Sequence, residues 1–355
     1  MNVSPSLINM LNFSFIKKMA HHKTYVVNMV FVACVPLLLI GLITQPFVAP
    51  VASQPPTVDP ARLQAHVKHL SKDLYPRSFD QFNNTELTVQ YIVVEFKAAG
   101  VDVSIQDVPV QESTYQNIIA SFGPSTGPLL VIGAHYDSFG DAIAGAMHAK
   151  GYSLQTHTPG ADDNASGVAG LIELARLLHN YPPSRSIQLV AYALEEPPHF
   201  RTDFMGSAVH AHSLVEQDRD MQLMISLEMI GYFSDDTGSQ RFPVPGLSLF
   251  YPDQGNFIAV VGRLGGFRAL RRVKSLMSGA TDLAVYSINA PNVMVGVDFS
   301  DHRNYWHEGY PALMITDTAF YRNTNYHGAG DTYDKLDYVR MAKVVQSLFA
   351  VIQHY

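Results

Sequence analysis

Residues 128–138 read PLLVIGAHYDS, and residues 186–196 read SIQLVAYALEE. Each is an unbroken apolar run of strand length, closed by charged residues. A strand that is apolar at every position is buried on both faces, as in a parallel sheet covered by helices. Between the two lies VAGLIELARLLH (168–179), whose apolar residues recur at helical spacing. Strand, helix and strand in this order make the repeating unit of a covered α/β sheet.

The same alternation extends outward. On the N-terminal side, Asp59-Pro60 supplies a helix cap and a first-turn proline before ARLQAHVKHLSKDL. A second helix is expected over Glu86–Ala99, then the strand-like runs VDVSIQDVPV and YQNIIASF. On the C-terminal side come a helix near Ser207–Val215, strands MQLMISLEMIG and NFIAVVG, and a helix near Phe267–Met277. Strands APNVMVGV and ALMITDT and a closing helix over Leu336–Ile352 follow. The fold class is therefore α/β, a mostly parallel sheet with helices on both faces, in a single domain over residues 60–355.

Composition narrows the function. With 355 residues, 47% hydrophobic and 15% charged, the chain has ample material for a core. A net charge of −7 and no basic tract after residue 60 argue against a nucleic-acid partner. The only cysteine, Cys34, excludes an internal disulfide, a cysteine-based zinc site and an iron–sulfur cluster. Any metal must be held by histidine and carboxylate.

Residues 1–24 form a polar N-terminal segment with Lys17, Lys18 and Lys23, followed by an almost uncharged run over 25–48. That run is long enough to span a bilayer, and the preceding cations keep the N-terminus inside. A cleaved signal peptide and an uncleaved signal-anchor helix fit it equally, and Met19 is an alternative start. Residues 49–59 read as a Pro-rich linker. The expectation is an extracytoplasmic domain, secreted, periplasmic or membrane-anchored through residues 25–48.

Potential metal ligands fall where strands give way to loops, which is where open α/β sheets bind ligands. His135 and Asp137 end the first quoted strand on the same side, so Asp137 can orient the imidazole. Alone, such a pair equally describes a structural histidine. Pro159–Gly167, PGADDNASG, puts Asp162, Asp163 and Asn164 at a helix start. An acidic cap explains the acids, but the flanking glycines suggest close backbone approach. Glu195-Glu196 closes the second strand; one carboxylate can bind metal while the other faces a water, or both can be solvated. Glu228 in ISLEMIG is a carboxylate inside an apolar strand, costly unless neutralised or coordinated. His327 lies in YHGAGDT, before the last helix. Two histidines and several carboxylates without thiolates suit a pair of zinc ions with open positions for water. His66, His69, His179, His210 and His212 read as helix-surface residues. No G-x-S-x-G, H-E-x-x-H or P-loop pattern is present.

In the order and spacing of GAHYDS, PGADDNASG, AYALEEP, SLEMIG, SDH and YHGAGDT, residues 60–355 resemble the bacterial double-zinc aminopeptidase family. Its relatives include the glutamate carboxypeptidases and glutaminyl cyclases. The resemblance implies a three-layer sandwich around a mixed, mainly parallel eight-stranded sheet. It implies that Asp163 bridges two zincs, that Glu196 and His327 complete one site, and that His135 and Glu228 complete the other. Glu195 would be the general base, Asp137 would support His135, and Tyr326 would stabilise the oxyanion. Many members have Asp where this chain has Glu228. Asp301, in the SDH motif, is expected to support the ligands from behind. Manganese or cobalt suits the same donors as zinc.

The implied activity is hydrolysis of a peptide substrate at its N-terminus, because the motif segments HYDSFGD, PGADDNASG and SLEMIG contain no cation to hold a substrate carboxylate. Arg201, Arg303 and Arg322 are the arginines near a motif. A carboxypeptidase, a single-zinc glutaminyl cyclase and an inactive binding platform are the alternatives. Oligomeric state is not legible in the sequence.

Overall fold

The computed structural model describes residues 38–140 and 157–355. Residues 38–47 belong to a separate unit, helical over 38–44; residues 48–355 form the second unit. The polar segment and most of the apolar run expected at 25–48 lie outside the described residues. Among those described, no helix is long and apolar enough to cross a membrane.

Among the described residues, the larger unit holds seven α-helices: α1 (Pro60–Lys68), α2 (Phe82–Ala98), α3 (Gly167–Asn180), α4 (Gly206–Glu216), α5 (Phe267–Ser278), α6 (His302–His307) and α7 (Tyr338–His354). Its strands are β1 (Val103–Val110), β2 (Ser113–Phe122), β3 (Leu129–His135), β4 (Ser186–Tyr192), β5 (Met221–Glu228), β6 (Phe257–Arg263), β7 (Ala284–Ala290) and β8 (Ala312–Thr316). They form one eight-stranded sheet in the order β1-β2-β4-β3-β5-β8-β6-β7. The central β4-β3-β5-β8 run is parallel, while β1, β2 and the β6/β8 junction pair antiparallel.

Strand alternation divides the core into two layers. Leu130, Ile132 and Ala134 point into a cluster shared with α1, α2, α3, α5 and α7, where Leu63, Phe96, Leu171, Leu270 and Val345 are buried. Leu129 and Val131 point the other way, into a smaller cluster with Leu214 of α4 and Tyr305 and Trp306 of α6. The three-layer α/β architecture is the one expected. Residues 49–56 run extended along this unit: Ser275 Oγ donates to Ala49 O at 2.6 Å, and Gln346 Nε2 donates to Pro56 O at 3.3 Å.

Two local expectations fail. The seventh strand is AVYSINA (284–290), not APNVMVGV. Pro291 lacks the N–H to continue a ladder, Gly296 takes φ +88°, and residues 291–299 are turns. His66 and His210 are buried rather than on the helix surface. His66 Nδ1 shares a hydrogen bond with the Tyr91 hydroxyl at 2.7 Å, and His210 Nδ1 shares one with Tyr305 at 2.6 Å.

From β3 the chain adds β4 on one side and β5 on the other. This reversal opens a crevice at the C-terminal ends of β3 and β5. His135 ends one of these strands and Glu228 the other.

Candidate metal centre

Four loops converge on that crevice. The turn Ala161–Ser166 enters α3 through a left-handed Gly160 (φ +59°). A β-carbon at Gly160 would stand 2.3 Å from Asp163 O, and one at Gly167 would stand 2.9 Å from Leu227 O. The glycines flanking the acids therefore allow close packing of this turn against itself and against β5.

The two adjacent acids divide their work. Asp162 turns inward, accepting from Gly231 N at 2.9 Å and Asn323 Nδ2 at 3.0 Å. Asp163 faces the crevice, with Oδ1 3.4 Å from His135 Nε2 and Oδ2 3.3 Å from His327 Nε2. Asn164 pins the turn to the end of β5: Nδ2 donates to Leu227 O at 2.8 Å, and Oδ1 accepts from Met229 N at 3.1 Å.

Around Asp163 the ligand atoms fall into two sets. His135, Asp163 and Glu228 form one, and Asp163, Glu196 and His327 the other. His135 Nε2 lies 3.4 Å from Glu228 Oε2, and His327 Nε2 lies 3.3 Å from Glu196 Oε2. Glu195 belongs to neither set, although its Oε2 is 4.0 Å from His135 Nε2. His135 Nδ1 is 3.1 Å from Asp137 O, a donor contact that leaves Nε2 with its lone pair toward the crevice. The ring of His327 is stacked between Tyr326, with centroids 3.8 Å apart, and Phe139 at 4.1 Å.

The Asp137 carboxylate does more than was expected of it. It lies 3.4 Å from His135 Nδ1, but its two oxygens accept the backbone N–H groups of Glu195 and Glu196 at 3.1 and 3.0 Å. The Glu-Glu turn is thus held in place by the residue that also faces the histidine. Left-handed backbone at Leu194, Met229 and His327 marks three of these loops, a strained conformation for residues with a β-carbon.

The electrostatics describe a site short of positive charge. Burial pushes the Glu195 carboxyl well above its usual range, and the nearby Glu228 and Glu196 add to this against the opposing pull of His135. Burial likewise raises Glu196 to about 7. Burial would also raise Asp163, but the neighbouring imidazoles of His135 and His327 outweigh it and hold that carboxyl low. His135 Nε2, Glu196 Oε1 and Glu228 Oε2 are buried and have no hydrogen-bond partner among the described residues. Orphaned nitrogen and oxygen atoms aimed at one another are the donor set that a divalent cation satisfies.

Asp301 is buried behind the crevice, both oxygens without a partner, and burial lifts it to about 7 against the pull of His135. Tyr326 is half-buried and lines a hollow together with Glu228. Arg322 is structural, donating to Gln240 Oε1, Tyr232 O and Phe257 O. Two supporting residues have no role legible in the sequence, although Asp331 lies within YHGAGDT. Arg77, fully buried, donates to Tyr136 O, Leu70 O, Pro159 O and Gly160 O. Asp331 accepts the N–H groups of Asp162 and Asp163 at 3.0 and 3.1 Å.

Beside Glu228 and Tyr326 opens an apolar hollow walled by Phe257, Ala259, Val261, Phe299, Met314 and Phe320.

The chain is similar to known sequences and folds. The pattern of peptidase family M28 matches residues 117–352. The chain is 49% identical over 324 residues to the uncharacterized protein YfbL of Escherichia coli K12, covering 91% of this chain and 95% of that one. It is 24% identical to the probable aminopeptidase YDR415C of Saccharomyces cerevisiae, covering 73% of this chain and 64% of that one. Among solved structures, the LapA aminopeptidase of Legionella pneumophila is similar in fold at a TM-score of 0.62 and 20% identity, covering 82% and 70% of the two chains. A glutaminyl cyclase of Bacteroides thetaiotaomicron is similar at 0.61 and 19% identity, covering 85% and 100%.

Proposed function

The chain belongs to peptidase family M28, and from that membership we propose that it is a two-zinc aminopeptidase. The observation that carries this reading is the position of Glu195, beside two three-donor sets that share Asp163 yet outside both. Such a carboxylate is free to move a proton.

His135 and Glu228 would hold one ion, Glu196 and His327 the other, and Asp163 would bridge them. The orphaned buried donors fit zinc, which when bound would supply Lewis acidity to the attacking water and the scissile carbonyl. Glu195 takes the proton of that water on a carboxylate oxygen as the carbon–oxygen bond forms. It returns the proton to the amide nitrogen as the carbon–nitrogen bond breaks. Tyr326 donates its hydroxyl proton in a hydrogen bond to the developing oxyanion. The Asp137 carboxylate keeps Glu195 at its station.

Polarity follows from charge. The second oxygen of Glu228 suits the ammonium group of a free N-terminus, and the hollow beside Glu228 takes the N-terminal side chain. Its aromatic and aliphatic walls favour a large apolar residue there. The relatives called aminopeptidases support this reading, whereas the cyclase-like fold alone does not separate the alternatives.

The test is a comparison of Phe-Ala with N-acetyl-Phe-Ala in the zinc-loaded enzyme. Cleavage of the free peptide and silence toward the blocked one is expected. Cleavage of the blocked peptide would remove the aminopeptidase assignment while leaving a metal peptidase.

A further inference from the structure

We propose that Arg303 is a specificity-determining residue that binds the free α-carboxylate of the leaving residue, so that dipeptides are the preferred substrate class. This rests on the aminopeptidase reading and sharpens it.

Arg303 is the second residue of α6, two positions after Asp301. Its residue surface is 9% exposed, and its Nε is buried with no hydrogen-bond partner. One other donor is only weakly engaged, since Nη1 reaches Asn304 Oδ1 at 3.4 Å. The nearest carboxylate, Asp298, is already occupied. Arg201 grips both its oxygens at 2.8 and 2.9 Å, whereas Arg303 Nε stands 4.0 Å away. Among the described residues, two guanidinium groups therefore share this one carboxylate, and Arg303 is the less engaged of the two. A buried guanidinium fork with unused donors matches a carboxylate in charge and shape.

Its location fixes which carboxylate. The Phe200 ring, five residues past Glu195, lies under both guanidinium groups, at 5.9 Å from Arg303 and 5.3 Å from Arg201. Arg303 is also close enough to Glu195 for the charges to interact. Glu195 hands its proton to the departing amine, so the surface beyond it faces the leaving residue. The apolar hollow beside Glu228 and Tyr326 faces the other half of the substrate. In a dipeptide, the leaving residue carries the C-terminal carboxylate one carbon from the departing nitrogen. In a longer or amidated peptide that position is a neutral amide, which cannot pair with the guanidinium charge. The motif segments lack cations, but α6 brings one in from the side.

The experiment measures kcat and KM of the zinc-loaded enzyme for Phe-Ala, Phe-Ala-amide and N-acetyl-Phe-Ala, in wild type, Arg303→Met and Arg303→Lys. Wild type should favour Phe-Ala over its amide in kcat/KM by ~10–100-fold, the usual worth of a charge-assisted hydrogen bond. Arg303→Met should erase that preference through KM, bringing kcat/KM for Phe-Ala down toward that for the amide. Equal wild-type rates on the two free-amino substrates, or an equal loss on both in Arg303→Met, would overturn the proposal. If Arg303→Met shows no cooperative melt, Arg303→Lys decides. A preference lowered severalfold supports the proposal, and an unchanged preference overturns it. Failure of the underlying reading looks different, as cleavage of N-acetyl-Phe-Ala.

Discussion

The Asp137 carboxylate accepts the backbone N–H of Glu195 on Oδ1 at 3.1 Å. Its other oxygen accepts Glu196 N at 3.0 Å, so one side chain positions both the proposed base and a proposed ligand. An amide in its place could accept at only one of the two positions and would present an N–H to the other. Asp137→Asn should therefore lower kcat by ~10–100-fold, the usual cost of disturbing groups that orient a metal site. Atomic absorption should find its metal content near that of wild type under saturating zinc. An unchanged kcat would show that the Glu-Glu turn holds itself.

Glu195 lies outside both donor sets. Glu195→Gln removes the proton acceptor and keeps the shape. Turnover of Phe-Ala should fall by ~10²–10⁴-fold with zinc content unchanged. Loss of zinc instead would exchange the roles of Glu195 and Glu196.

Glu173 of α3 is buried away from the crevice, 2.8 Å from both Arg62 Nε and Arg176 Nη2. Burial alone would raise its carboxyl, but hydrogen bonds from His66, Arg176 and Arg62 bring it from 4.5 down to about 2. A depressed folded value means stability that is present above the unfolded value and lost as pH falls through the folded one. Glu173→Gln should cost about 2 kcal/mol at pH 7, in the range of a charge-assisted hydrogen bond. Urea unfolding of the chelated protein should show the gap to wild type closing between pH 4.5 and pH 2. A gap independent of pH would mean that the ionised carboxylate contributes nothing.

Ala259 lines the apolar hollow from β6. Ala259→Leu narrows it. Cleavage of Phe-Ala should drop by roughly tenfold in kcat/KM, about the effect of a small steric change in an apolar pocket, with Ala-Ala changed far less. Equal losses on both substrates would place the N-terminal side chain elsewhere.

The sequence made the centre of the sheet legible because β3, β4 and β5 are apolar on both faces, and their ends carry charged residues with no other reason to be there. The crevice follows from strand order. AVYSINA is hard to read as a strand because its alternation is broken by Ser287 and Asn289, both buried, whereas APNVMVGV has the apolar look of a strand but carries Pro291 as its second residue. His210 was misjudged since a helix sequence does not disclose which face meets Tyr305. The roles of Arg77 and of Asp331, the latter inside YHGAGDT, are not legible because their partners are backbone carbonyl and N–H groups, which carry no residue signature. Arg303 is visible as a cation near a motif, but its burial on α6 and its stacking over Phe200 are not legible in the sequence.

The central claim is that Asp163 joins two metal sites, and metal content per chain tests it most directly. Zinc should be measured by mass spectrometry after equilibrium dialysis. The expected values are two ions in wild type, one in His135→Ala, and fewer than one in Asp163→Ala. A single ion in wild type, unaffected by His135→Ala, would contradict the two-metal account and favour the single-zinc cyclase chemistry.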